Sequence, residues 1–348
     1  AQLLPAWELS IGPGLGTVKS EEKENPKLWK AVYTYKETGR KHPTLTDLKA
    51  LKDEPARADW VWAGVENRYF LAAITGDGLS GIRPAHREAL VRDNKAPLLA
   101  LPMPPSELKP GEKRAWETQF YIGPKDYGKL KAIGHGLDRS VDFGFFSPLA
   151  KLANSSLVYF QKITGNYGAA IIILSVIIQI MLTPLSFKSY KAMAVMKKIQ
   201  PEMQSIQKRY KEDPKRMNAE VMDLYKRHGT NPLGGCLPML LQIPVFFSLF
   251  TALRESWALH GAPFVFWIKD LSAKDPLYVM PIVMGGIMFL QQQLSPQGSD
   301  PAQAAMMKWM PVIFTFMFLT FPSGLVLYWL INSIWGFAQT IYLQKKMA

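Results

Sequence analysis

The sequence predicts an α-helical polytopic membrane bundle of five spans preceded by an all-β extracytoplasmic domain. Three observations carry that prediction. Charge is unevenly divided: residues 1–150 hold 22 Lys/Arg against 19 Asp/Glu, whereas residues 151–348 hold 19 against 9, so most of the net charge of +13 belongs to the second half. Long uncharged runs fill that half: Ala169–Phe187, Leu233–Leu253, Pro276–Leu294, and Trp309–Gln344, the last interrupted at Phe321-Pro322-Ser323-Gly324. A helix needs roughly 20 apolar residues to cross the hydrocarbon core, so the last run reads as two spans joined by a tight turn. Soluble helices keep a polar face and these keep almost none. Finally, basic residues collect in one loop: segment 188–232 holds eleven Lys/Arg against five acids, and segment 254–275 holds three of each. Positive charge stays cytoplasmic, which puts the 188–232 loop and the Lys345-Lys346 tail inside and the N-terminal domain outside. Five crossings join an outer domain to an inner tail.

Residues 1–141 form the β domain. Its β-type runs are Leu28–Tyr35, Trp60–Val65, Tyr69–Ile74 and Thr118–Ile122, separated by Pro, Gly and Asn turn residues. They read as a β-sandwich or part of one, with no visible site. In segment 142–165, Ser147-Pro148 starts a helix with Leu149, Leu152, Leu157 and Phe160 broadly on one side and Lys151, Asn154 and Lys162 elsewhere. Such a helix lies in the membrane interface until Gly165 ends it. The first span follows at 166–187.

Segment 188–230 is a helical hairpin. Met193, Met196, Ile199, Met203, Ile206 and Tyr210 recur at helical spacing, Asp213-Pro214 starts a second helix, and Met217, Val221 and Leu224 repeat the pattern up to Gly229. Two readings stay open. In one, the stripes pack only on each other and the basic residues, among them Lys191, Lys197, Lys198, Lys208 and Arg209, are a topology signal. In the other, the hairpin also meets anionic lipid head groups, a ribosome or a nascent chain. The remaining spans fall at 231–253, 276–294, 305–321 and 322–344. An outer loop at 254–275, a cytoplasmic loop at 295–304 and a cytoplasmic tail at 345–348 connect and end them. The chain starts at Ala1 without Met and reads as a fragment or processed product of a protein with one more span ahead.

Little in the sequence points to catalysis. One cysteine, Cys236, excludes an internal disulfide framework, and five scattered histidines lack ligand spacing, so no metal or cofactor is expected. Ser323-Gly324 superficially suggests a nucleophile, but no span contains a histidine. A coupled transporter with the outer domain as receptor is the competing class, yet the spans hold no ionisable residue near their middle. The spans do contain uncharged polarity. Ser175, Gln179 and Thr183 share one face of the first; Gln242, Gln291, Asn332, Ser333, Gln339 and Thr340 lie in the others. An unpartnered buried amide costs about 2–7 kcal/mol, so these groups pair across helices or face a hydrated cavity.

Specific strings then narrow the reading. Asn231 to Pro238 with Gln242-Ile243-Pro244-Val245-Phe246, Ala262-Pro263-Phe264 with Trp267 to Ser272, and Met310 to Phe314 with Phe321 to Trp329 closely resemble the YidC/Oxa/Alb family of membrane protein insertases. Asn166-Tyr167-Gly168 and Thr183-Pro184-Leu185 match the ends of that family's second span. Trp62 to Phe70 and Tyr121 to Lys125 more weakly resemble the C-terminal part of the periplasmic domain of Gram-negative members. The resemblance implies a β-super-sandwich outer domain, cut short here, and a bacterial inner-membrane protein with a periplasmic N-domain and a cytoplasmic C-terminus. It implies an insertase and chaperone, not an enzyme, acting alone or with the Sec translocon. The implied partners are nascent membrane proteins, the ribosome and anionic lipids, with no specific nucleic acid and a monomeric working state. By position, Ser175, Gln179 and Thr183 would line a hydrophilic groove, and Ile243, Phe246, Met317 and Trp329 an apolar slide. The chain departs from the family at Gln179, where many members carry an arginine.

Overall fold

The computed structural model describes residues 2–18, 21–40, 42–51, 55–79, 81–229, 237–294 and 301–347. It divides into two compact units, Ala1–Asp142 with Glu255–Ala258, and Phe143–Arg254 with Leu259–Ala348.

The first unit is all-β apart from short helices. Its strands are β1 (Gln2–Leu4), β2 (Trp7–Ile11), β3 (Lys30–Tyr35), β4 (Thr44–Asp47), β5 (Trp60–Glu66), β6 (Phe70–Thr75), β7 (Ala85–Val91), β8 (Asn94–Met103), β9 (Ser106–Leu108) and β10 (Phe120–Pro124); the helices are α1 (Asn25–Leu28) and α2 (Tyr127–Ile133). A five-stranded antiparallel sheet runs β10-β6-β5-β3-β4, a three-stranded one β2-β8-β7, and β1 pairs β9. Register follows side-chain alternation. Tyr33, Ala63, Val65 and Ile74 of the larger sheet form one apolar core with Leu99, Leu101 and Met103 of β8. Trp62, Leu71 and Ala73, of opposite parity, are buried too, so both faces of β5 and β6 are covered. The β7–β8 hairpin turns through Arg92 and Asp93, both at positive φ, which suits the twist of a two-residue loop.

The second unit is helical: α3 (Ser147–Thr164), α4 (Tyr167–Arg209), α5 (Pro214–Arg227), α6 (Leu237–Arg254), α7 (Val279–Leu294), α8 (Pro301–Phe318) and α9 (Ser323–Met347). Gly165, in the left-handed region, ends α3, and the Asn166 side chain caps α4 by accepting from the Ala169 N–H. On α3, Ala150, Ala153 and Leu157 are buried while Leu149, Leu152, Tyr159 and Ile163 are exposed.

The first apolar run and the first helix of the predicted hairpin form one continuous helix of 43 residues, α4, which tolerates Pro184 and Pro201. The hairpin core consists of Ile199, Met203, Leu224 and Tyr225 with Ile206 and Val221, so the two apolar stripes do pack on each other.

Helices occupy all five places where spans are expected, but length and composition separate them. Among the described residues only Tyr167–Ser189 is long and apolar enough to cross a membrane by that test, with mean hydropathy 2.3. Leu240–Arg254, Val279–Leu294 and Lys308–Phe318 are shorter apolar segments. Much of the Asn231–Pro238 string (231–236) and most of the expected 295–304 loop (295–300) lie outside the described residues.

Candidate functional site

In the helical unit, the polar side chains of α4 and α9 find one another. Gln179 and Thr183 sit one turn apart on α4, and Asn332 and Gln339 two turns apart on α9, so each pair shares a face. Gln179 Nε2 donates to Asn332 Oδ1 at 2.8 Å, and Gln339 Nε2 donates to Thr183 Oγ1 at 2.8 Å. Thr183 in turn donates to the Gln179 carbonyl at 2.7 Å, which ties the second rung to the first. All four residues are half-buried. Residues 168–187 of α4 and 323–344 of α9 contain no Asp, Glu, Lys, Arg or His, so the seam is polar and uncharged.

The seam continues toward α7 and α6. The Gln291 side chain of α7 lies over Gly336, where an added Cβ would sit 3.0 Å from its Nε2, so the missing side chain lets the amide approach α9. Gln242 of α6 donates to the buried Tyr328 hydroxyl at 2.8 Å. The Trp335 indole N–H is buried with no hydrogen-bond partner among the described residues, one unused donor in this part of α9. Sequence reading did not single out Tyr328 or Trp335 for their polar atoms, because both sit inside an aromatic-rich apolar run.

Ser175 departs from the pattern of its neighbours. It is 1% exposed, and its hydroxyl donates back to the Ile171 carbonyl at 2.6 Å. Ser333 and Thr340 likewise bond the carbonyls of Trp329 and Gly336 one turn back, the usual way a hydroxyl is satisfied inside an apolar helix. Of the three α4 residues singled out in the sequence, Gln179 and Thr183 therefore reach α9 and Ser175 stays within α4.

Beside the seam stands an aromatic wall. Trp329 lies 5.0 Å from Phe246, 5.7 Å from Phe314 and 5.3 Å from Phe318 between ring centroids. Phe318 and Phe250 both meet Phe321. Edge-to-face and tilted pairs of this kind stabilise by about 0.5–1.5 kcal/mol each beyond their burial. Ile243 and Met317 are 41% and 40% exposed, apolar side chains left on the outside of α6 and α8.

The loop before α7 holds the start of α7 and of α9. Asp275 is 1% exposed and accepts hydrogen bonds from the Trp267 indole and the Leu277 and Met280 amides. Ser323, fully buried, donates both its amide and its hydroxyl to the Ala273 carbonyl at 2.7 Å, and the Gly324 amide donates to the Leu271 carbonyl. The Ser323 hydroxyl is thus a clamp at the start of α9. On the hairpin, Lys191, Lys198, Lys208 and Arg209 are exposed, and the Lys197 side chain lies outside the described residues.

Residues 159–348 match the family model for the 60Kd inner membrane protein, and residues 17–153 match that for the YidC periplasmic domain. A membrane protein insertase YidC of Endomicrobium trichonymphae is 44% identical over 99% of this chain and 66% of its own length. Proteins of the same name from Geobacter sp. (strain M21) and Geobacter metallireducens are 46% and 48% identical, over 87% and 83% of this chain and 56% and 53% of theirs. The chain thus spans about half to two thirds of these relatives. A solved structure, described as an active YidC insertase crystal structure with the first transmembrane domain resolved, aligns at TM-score 0.49 and 22% identity over 87% of this chain and 68% of that one.

Proposed function

Since the chain belongs to the 60Kd inner membrane protein family and its relatives bear the name membrane protein insertase YidC, we propose that it is a membrane protein insertase and chaperone of a bacterial inner membrane. The observation that carries the mechanism is the uncharged Gln179–Asn332 and Thr183–Gln339 seam beside the Trp329 wall. An arriving hydrophobic segment brings a polar flank that cannot enter hydrocarbon unpaired, at a cost of about 2–7 kcal/mol per group. Amides that already pair with one another exchange partners at little net cost, so the seam lends its donors and acceptors to that flank. The apolar part of the segment leaves along Phe246, Trp329, Ile243 and Met317 into lipid. No bond in the substrate is made or broken.

In this reading α4, α6, α7, α8 and α9 cross the membrane, α3 lies in the outer interface, and the β unit is periplasmic. The basic hairpin and the C-terminal Lys345-Lys346 face the cytoplasm, where the hairpin meets nascent chains, the ribosome and anionic lipid. The protein works as a monomer, alone or beside the Sec translocon. The test is photo-crosslinking in membranes, with a benzophenone residue at Ile243 or Met317 and ribosome-bound chains carrying one hydrophobic segment. Adducts form at both positions and not at the control position Glu107 in the β unit. Silence at both would sink the reading.

A further inference from the structure

We propose that the β unit carries a phosphate-ester binding pocket formed by Arg40, His42 and Arg139. A cavity of about 370 Å³ opens there, lined by Arg40, His42, Pro43, Thr44, Leu45 and Arg139. That volume falls within the range of about 300–1,000 Å³ usual for small-molecule sites and leaves room for more than a bare phosphate.

The pocket is assembled from two stretches of chain about a hundred residues apart. Arg40, His42 and Pro43 precede the edge strand β4, and Arg139 sits on the 3-10 turn Leu137–Ser140. The two are packed together at one point: Gly136, at φ +73°, lies against Pro43, and a Cβ there would come 3.1 Å from the proline Cγ. Leu137 is 2% exposed, and Ser140 Oγ donates to its carbonyl, so the turn that carries Arg139 is anchored.

The charges are arranged to leave donors unused. Glu37 is tied on one oxygen: Arg40 Nε lies 3.0 Å from Oε2, and the Thr44 hydroxyl donates to the same atom at 2.7 Å. This fixes the Arg40 side chain by its Nε and leaves its two terminal amines without a partner among the described residues. Half-buried Arg139 has no ion pair or side-chain hydrogen bond among the described residues, and neither has His42. The lining thus holds two guanidinium groups and no carboxylate, with Glu37 tied to Arg40 and Asp138 next to Arg139 on the turn. A guanidinium offers planar, paired donors matched to phosphate oxygens and cannot lose its proton. Pro43 and Leu45 supply an apolar wall, which suits the carbon substituent of an ester and gives nothing to a free ion.

The shared ligand chemistry is a phosphate ester, from a soluble monoester or from the diester of a lipid head group. The experiment titrates the full chain, in neutral detergent and phosphate-free buffer at fixed salt, with glycerol 3-phosphate and separately with glycerophosphoglycerol, followed by ³¹P line broadening. Saturable binding of either probe is expected, weakened about tenfold or more in Arg139→Gln and less in Arg139→Lys. Because Arg139 has no ion pair or side-chain hydrogen bond among the described residues, Arg139→Gln should melt with the unaltered chain, so lost binding is not lost folding. Preference for the diester assigns the site to a lipid head group, and preference for the monoester to a soluble ligand; both support the pocket. Absence of saturable binding at about 10 mM of both probes, or binding unaffected by Arg139→Gln, overturns it.

Discussion

Glu66 and Lys125 face each other inside the β unit, 3.3 Å apart, their side chains 9% and 6% exposed. Lys125 also donates to the Asn67 carbonyl. The Asn67 amide is fully used: it donates to the Gly16 carbonyl and Asn25 Oδ1 and accepts from the Tyr69 and Phe70 amides. The two stretches that carry the weaker family likeness, Trp62 to Phe70 and Tyr121 to Lys125, are thus the two sides of one buried polar network. A charged residue ending an apolar strand was legible in the sequence, but its partner lies 59 residues on, with no local signal to connect them. Burial pushes the Glu66 carboxyl above its ordinary value, and Lys125 pulls it part of the way back. A raised folded value means that the native state holds this proton more tightly than the unfolded chain. The resulting stability is fully present below the unfolded carboxylate value, about 4.3, and is lost as pH rises through the raised one. Glu66→Gln should therefore abolish this decline in melting temperature between mildly acid and neutral pH. The neutral amide mimics the protonated carboxyl, and Lys125 keeps the Asn67 carbonyl, so at neutral pH Glu66→Gln should melt no lower than the unaltered chain. Thermal melts of the full chain from pH 4 to 8 check the prediction, and a Glu66→Gln melt that follows the unaltered chain at every pH would refute it.

At the scale of elements, hydropathy located the helices better than it located their ends. The run that stops being apolar at Lys188 was read as a span followed by a separate hairpin helix, whereas α4 continues from Tyr167 to Arg209. The change at Lys188 marks a change of surroundings, and the backbone need not break where its surroundings change. The pairing of α4 with α9 was legible only in part. Polar residues recurring on one face of α4 announced partners, but 153 residues separate Gln179 from Asn332 and no local pattern joins them. What the pairing adds is a prediction about charge. The seam lacks any cation, so an acidic side chain drawn into it loses water without gaining a counter-ion, at about 2.5–3.5 kcal/mol near the middle of a bilayer. Gln179→Arg keeps a donor for Asn332 Oδ1 and adds that cation. In vesicles containing the variant, insertion of a substrate with two acidic residues in its translocated flank should rise about three- to tenfold relative to a neutral-flank twin. An equal change for both substrates would remove charge from the mechanism.

For the whole molecule, the membrane reading rests on charge placement as much as on helix length. Helices α6, α7 and α8 have 18, 16 and 18 residues. At 1.5 Å per residue they reach about 24–27 Å, short of the roughly 30 Å hydrocarbon core, whereas the 25 residues of α9 reach about 38 Å. Polar and aromatic side chains at helix ends can sit in the interface and complete a short crossing. Charge bears on the same reading: if the basic 188–232 loop and the Lys345-Lys346 tail share one side, an odd number of crossings puts the β unit on the other. Cysteine labelling separates this arrangement from any even count. With Cys236 changed to Ser, the exposed positions Glu107 on β9 and Lys346 on α9 each receive a single cysteine in turn. In intact spheroplasts an impermeant maleimide should label Glu107→Cys at once and Lys346→Cys only after the membrane is opened. Labelling of both from the same side would mean that one of the five helices does not cross. The short α7, whose 16 residues begin just after the buried Asp275 clamp, would be the first to re-examine.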